Sequence, residues 1–391
     1  MPWIIISATA FIEMIPIEQK ILICSATLHA TFSQQCSLRH LIGSIPDVNH
    51  LINTSFRQGL GSLLYKNLLT SHALDTLPHL YQKRLHTLYY RTALFNLKLI
   101  HDLQHILNLL NQKKIHVVLL QGIAIIHQVY HDIALRPMGD IDLWVLPKDY
   151  TCLINILISQ GYSQDHRYPS LFSKGSTIFD IHTHVLWADR IKASKNLLAT
   201  SQDSFFLNAY PLCIEGHKAL CLDPYDQIVY LSLHALKHNI DKLIWLVDIK
   251  MLIEGFKGHD WERLMERARE LGQQKTISYI LFLLKVYEFT LPKEAHAFLR
   301  KGDLRPWGKK ILRTQIRKGR LPSWAPPLLL SSGKGLGHSF LFIFETIFPR
   351  PYILRQVFDC SHTRTIFVLY VKRLLQLFDI IKKQVREIRQ L

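Results

Sequence analysis

Apolar residues recur three and four positions apart through most of residues 17–114. The stretches EQKILICSATLHATF, VNHLINTSFRQGLGSLLYKNLL and HLYQKRLHTLYYRTALFNLKLIHDLQHILNLLNQKK all show it, and this spacing puts apolar side chains on one face of an α-helix. In the last stretch Phe95, Leu99, Leu103, Ile106 and Leu110 share a face. The pattern then changes. IHVVLL (115–120) is a short β-branched and aliphatic run closed by Gln121-Gly122, and GIAIIHQVYHD (122–132) returns to helical spacing. DIDLWVL (140–146) alternates as a strand does. PKDYTCLINILISQGY predicts a helix with Pro147 near its start and Gly161 just past its end. PSLFS and TIFDIHTHVLW are extended runs joined by KGS, a hairpin turn. The order helix, strand, helix, strand, helix, strand, strand predicts a small mixed sheet with helices on one side.

Helical spacing resumes at 222 with DPYDQIVYLSLHALKHN, DKLIWLVDIKMLIEGF, DWERLMERARELG and TISYILFLLKVYEF. A basic connector follows, with nine Lys or Arg against one Asp across 300–320. The fold class expected is therefore α+β. An N-terminal helical region (1–100) precedes a small mixed-sheet α/β core (101–215), a helical domain (216–299), and a basic connector with a helical tail (300–391). In that tail Phe367, Val371, Leu374, Phe378, Ile381, Val385 and Ile388 advance in steps of four and three. Such a stripe suits a helix partner, in this chain or another. With Lys372, Arg373, Lys382, Lys383, Arg386 and Arg389 beside it, it also suits an anionic membrane surface.

Composition narrows the partners. Lys and Arg total 47 against 30 Asp and Glu, a net charge of +17, which favours anionic ligands without choosing among them. No aromatic interleaving or RNA-binding module accompanies the charge, so nucleic acid is unsupported. The six cysteines (Cys24, Cys36, Cys152, Cys213, Cys221, Cys360) form no CxxC pair and read as buried thiols of a reducing compartment. The N-terminal apolar patch lacks a basic flank and is interrupted by Glu13, unlike a signal peptide. No uncharged apolar run reaches the ~18 residues of a spanning helix. A cytoplasmic location is expected.

RPMGDIDLWV (136–145) puts two acids at the start of an otherwise apolar strand. Alternation directs Asp140 and Asp142 to one face and Ile141, Leu143 and Val145 into the core. The bland reading is an exposed polar strand start. Asp180 argues otherwise, because TIFDIHTHV aligns Asp180, His182 and His184 on one face of a second strand. Converging carboxylates repel and stay ionised only beside cations, and hard oxygen donors select Mg²⁺ or Mn²⁺ over zinc. The Gln121-Gly122 junction offers backbone N–H groups to a phosphate. Arg136 could clamp a phosphate oxygen or pair with Asp132 or Asp140.

LLQG before a helix, then LRPMGDIDLWV, then the Asp180-Ile181-His182 strand, resemble the uncharacterised nucleotidyltransferase family of the DNA polymerase β-like superfamily. FRQGLGSLLYKNL, LDPYDQIVYLSLHALKHNIDKLIWLVDI and IFPRPYILRQVF…YVKRLL are similar to further segments of that family. The resemblance implies a nucleoside triphosphate substrate, Asp140 and Asp142 as paired metal ligands and Asp180 as the third carboxylate. One cation would orient the nucleotide and another would activate an acceptor hydroxyl; Asp180 could also take that hydroxyl's proton. His182 would contact phosphate or orient Asp180. One departure matters: the family usually has Lys-Gly where this chain has Gln121-Gly122, and a neutral amide brings no charge to a triphosphate. Two readings follow. The first is a metal-dependent transferase moving a nucleotidyl or phosphoryl group to a small-molecule or peptide acceptor. The second is a catalytically impaired nucleotide-binding or interaction module.

A different metal chemistry is also open at this strand. Asp180, His182 and His184 with His234 or His238 would suit a transition metal. The plainer reading makes His234 and His238 partly buried beside a cleft, with Asp248 capping or pairing with one of them, and leaves His184 solvated.

Overall fold

The computed structural model describes residues 15–389 apart from 187, 189–190, 290, 302–303, 305, 331–335 and 359–365. Glu13 and Cys360 lie outside the described residues, as do the side chains of 381 and 383–391. The N-terminal helices are α1 (Ile17–Cys24), α2 (Phe32–Gly43), α3 (Val48–Arg57), α4 (Gly61–Thr70) and the long α5 (His79–Gln112). Then come β1 (Val117–Leu120), α6 (Gln121–Ile125), β2 (Ile141–Val145), α7 (Pro147–Ser159), β3 (Ser163–Gln164), β4 (Leu171–Lys174) and β5 (Thr177–His182). After α8 (Asp203–Asn208) a hairpin of β6 (Tyr210–Ile214) and β7 (His217–Cys221) completes the sheet. The C-terminal half is helical: α9 (Pro224–Lys237), α10 (Leu243–Glu254), α11 (Gly258–Glu270), α12 (Gln274–Val286), α13 (Lys293–Lys301) and α14 (Pro306–Lys318). It ends with α15 (Ala325–Leu329), α16 (Leu336–Ile347), α17 (Pro351–Phe358) and α18 (Ile366–Arg389).

The seven strands lie in the order β3-β4-β5-β2-β1-β7-β6. β1 and β2 are antiparallel, while β2 runs parallel to β5 and β1 to β7. The sheet is mixed, as expected, but helices cover both faces rather than one. Val117, Leu119, Ile141, Leu143 and Val145 join the core made with α5 and α7. Val118, Leu120 and Trp144, on the opposite face, join a core that takes in residues from Ile15 to Phe342. Alternate side chains of a strand face opposite ways, and here both ways lead indoors. That is why β1 and β2 read as nearly continuous apolar runs.

Two local predictions hold closely. Pro147 opens α7 and Gly161 follows it with φ +82°. The KGS turn closes the β4–β5 hairpin through Gly175 at φ +60°. The predicted helix after Gly122 is interrupted: α6 has five residues, widens into a π-turn at Ile126–Tyr130 and stops at His131, φ +52°. Its end frees residues 131–140 to form the loop that delivers Arg136 and Asp140. The β6–β7 hairpin is an addition to the sequence reading. Its Glu215-Gly216 turn, with φ +45° and +86°, is the signal in YPLCIEGHKALC that marks it.

Candidate active site

β2 and β5 are in register so that Asp142 stands directly opposite Asp180, and Trp144 opposite His182. Neighbouring strands lie about 4.8 Å apart, so parallel pairing alone forces the two carboxylates together. His182 bridges them. Its Nε2 is 3.0 Å from Asp142 Oδ1 and 3.6 Å from Asp180 Oδ2. One ligand atom each from Asp142, Asp180 and His182 falls within 4.8 Å of the others, a group able to hold a metal ion. Asp180 Oδ1 is buried and has no hydrogen-bond partner among the described residues. An ionised carboxylate oxygen only accepts, and a cation satisfies such an atom. Two carboxylates and an imidazole therefore fit a divalent metal.

Asp140 comes from the loop before β2 and stands outside that tight group. Its carboxyl is pushed up to about 7, first by burial among the cleft walls, then by the charges of Asp142 and Asp180, with Arg136 and His182 pulling it down. The residue lines the cleft but is solvent-exposed, so water screens part of this crowding. The structure thus gathers Asp142, Asp180 and His182 and sets Asp140 beside them.

Arg136 takes a partner the sequence reading did not name. Its Nη2 and Nε donate to Asp248 Oδ2 at 2.9 and 3.3 Å, and Tyr130 Oη donates to Asp248 Oδ1 at 2.8 Å. Asp132 and Asp140 are not its partners, and Asp248 neither caps nor pairs with His234 or His238. Asp132 instead accepts from Tyr89 Oη at 3.2 Å. The Asp248 side chain is 0% exposed and Arg136 8%. An acid within the apolar helix LIWLVDIKMLI was the available signal, because a fully buried charge needs a cationic mate. Asn96 of α5, also missed, pins the same loop by donating to the carbonyls of Ile133 (2.6 Å) and Arg136 (2.8 Å).

Gly122 packs where an added side chain would force Arg136 or Met138 to shift. A Cβ there would stand 2.7 Å from Arg136 Nη1 and 2.8 Å from Met138 Cγ. Gln121, not Gly122, carries the left-handed backbone, at φ +51°, and its Nε2 donates to Tyr230 Oη at 3.1 Å.

His184 lies past the end of β5 and does not join the metal-binding group. Rather than solvated, it is half-buried, and its Nδ1 accepts the Leu186 N–H at 3.1 Å. Burial first, then the Lys195 charge, lowers its pKa to about 4. The His234 and His238 rings lie 4.5 Å apart, tilted by 41°, and meet Trp245 at 5.3 and 5.5 Å. Burial, reinforced by His238 and Lys237, holds His234 well below its usual range and hence neutral. These rings form one wall of a cleft of about 1400 Å³ whose floor is Asp142, Asp180 and His182. Arg57, Lys237 and Lys242 stand among its other lining residues.

A comparison with curated proteins finds no match. The match to the family described as uncharacterised nucleotidyltransferase covers residues 45–287, which takes in the whole sheet, the carboxylate floor and helices α3 to α12. The similar segments in the C-terminal tail lie beyond it. With more than half of its 391 residues matched, the chain belongs to the family of uncharacterised nucleotidyltransferases.

Proposed function

We propose that the protein transfers a nucleotidyl group from a nucleoside triphosphate to a hydroxyl of a small-molecule or peptide acceptor, with Mg²⁺ or Mn²⁺ as cofactor. The observation that carries this reading is the facing pair Asp142 and Asp180, with His182 against both, on the floor of an open cleft in a nucleotidyltransferase family chain. When bound, the cation supplies charge neutralisation to the phosphates and acidity to the acceptor hydroxyl. Asp142 and Asp180 would hold it through their oxygens and His182 through Nε2. The mixed donor set suits Mn²⁺ at least as well as Mg²⁺. Asp140 would assist a second cation or take the acceptor proton.

Phosphoryl chemistry needs positioning and charge more than covalent help. Lys237, Lys242 and Arg57 bring positive charge to the cleft wall. Arg136 is committed to Asp248, so its contribution is to hold the loop of Asp140 and the close packing over Gly122. Gln121 would offer its amide at the edge of the phosphate path.

A second reading keeps nucleotide binding without transfer. Gln121 favours it, since its amide is tied to Tyr230 and adds no charge. One experiment separates the two. The full chain is incubated with each nucleoside triphosphate, labelled at the α- or γ-phosphate, with Mg²⁺ or Mn²⁺ and cell extract as acceptor. Transfer of the α-label, falling at least about a hundredfold in Asp142→Asn/Asp180→Asn, supports nucleotidyl transfer. Transfer of the γ-label alone would make the protein a phosphotransferase. Nucleotide binding without transfer, unaffected by the double substitution, would establish the second reading.

A further inference from the structure

The last helix packs on its own domain by one side only. Leu369 is fully buried, Tyr370 Oη donates to the Pro349 carbonyl at 3.0 Å, and Arg373 Nη2 donates to the Thr346 carbonyl at 3.2 Å. The other side of α18 is uncovered among the described residues. Phe367, Val368, Val371, Leu374, Leu375 and Phe378 are all solvent-exposed, with Phe367 at 69% and Phe378 at 63%. At 3.6 residues per turn these six fall within an arc of about 120°. Phe340, Leu341 and Phe344 on α16, and Tyr352 and Val357 on α17, are exposed as well. Ring contacts running from Phe344 through Phe348 to Tyr370 join α16 to α18. An exposed apolar area of this extent marks an interaction surface.

Charge selects the partner. Among the described side chains of 336–382, the exposed ionic groups are Arg355, Lys372 and Lys382 against Asp379 alone. A second copy would bring like charges together over the same face. A single partner helix would cover a narrow seam, whereas Val368 and Leu375 widen this stripe and two further helices extend the apolar surface. No described helix is long and apolar enough to cross a membrane. Large apolar and aromatic residues flanked by cations, on a helix that does not span, suit residence in a headgroup layer.

We propose that the α16–α18 unit docks on the surface of an anionic phospholipid bilayer. Helix α17 ties this face to the chemistry, because Tyr352, Ile353 and Gln356 line the carboxylate cleft. Docking would hold the cleft mouth near the headgroups. The inference stands apart from the transferase reading, since lipid binding is measured without nucleotide.

The test is co-sedimentation of the full chain with vesicles of phosphatidylcholine alone and of phosphatidylcholine mixed with phosphatidylglycerol, at low and high salt. At low salt we expect at least about tenfold stronger partitioning onto the anionic vesicles, weakened by salt. Phe367→Asp/Leu374→Asp/Phe378→Asp should lower it at least about tenfold. Lys372→Glu/Lys382→Glu should lower binding to the anionic vesicles only. The charge variant carries the test if the triple variant fails to fold, as circular dichroism would reveal. Equal or absent binding to both vesicle types overturns the proposal, as does binding unchanged in both variants. So does a wild-type dimer, seen by light scattering, that the triple substitution dissolves.

Discussion

Two sets of charge meet at one cleft, through Arg136 in one and through Asp142, Asp180 and His182 in the other, and they are finished to different degrees. Arg136, Tyr130 and Asp248 form a closed set: one cation, one anion and a hydroxyl, with both carboxylate oxygens engaged. Asp142, Asp180 and His182 form an open one, two acids around an imidazole with Asp180 Oδ1 unpartnered among the described residues. Arg136 and Asp142 are only six residues apart, so the same short segment contributes to both. The closed set holds structure. The open set leaves an acidic oxygen unmatched among the described residues, the feature on which the proposed cation site rests.

The comparison breaks first on stability. Removing one partner of the closed set strands a buried charge, so Asp248→Ala should cost about 3–5 kcal/mol, read by chemical denaturation. In the open set, where like charges crowd, Asp142→Asn/Asp180→Asn should leave the cation-free protein as stable as wild type or more so. A loss as large as that of Asp248→Ala would show that the acids are structural after all.

The next effect is pH dependence. His184 has its folded pKa lowered to about 4, below the ordinary 6.5. The fold therefore carries no penalty from it above pH 6.5 and loses stability as pH falls from 6.5 towards 4. His184→Gln should flatten that part of the stability profile by on the order of 1–2 kcal/mol, allowing for screening. Asp140 has the opposite sign. Its folded pKa is raised to about 7, so its ionisation burdens the fold as pH rises from about 4 to 7. Asp140→Asn should raise the melting temperature at pH 8 and not at pH 4.

The smallest expected effect is at Gln121. Gln121→Lys adds a charge beside the cleft and should tighten nucleoside triphosphate binding by about 1 kcal/mol, roughly fivefold. Unchanged affinity, by calorimetry, would show that residue 121 does not face the phosphates.

Much of the open set was legible in the sequence because strand alternation is local. D-x-D before an apolar run places Asp140 and Asp142 on one side, and TIFDIH does the same for Asp180 and His182. The registration of β2 with β5 could not be read from either strand, since pairing is set by the whole sheet. It decides that Asp142, not Asp140, faces Asp180. The closed set was illegible for a related reason. Arg136 and Asp248 are 112 residues apart, and only packing of α10 against the loop joins them. Similarly, the α18 stripe was readable as amphipathic, but sequence spacing does not say whether such a stripe is covered.

The most direct test of the open set is thermal unfolding with and without Mn²⁺ or Mg²⁺ at pH 8, for wild type and Asp142→Asn/Asp180→Asn. Wild type should gain about 2.7 kcal/mol at a hundredfold excess over the dissociation constant, visible as a higher melting temperature, and the double variant should gain none. An equal response in both proteins, or none in wild type, would contradict the assignment of Asp142 and Asp180 as a cation site.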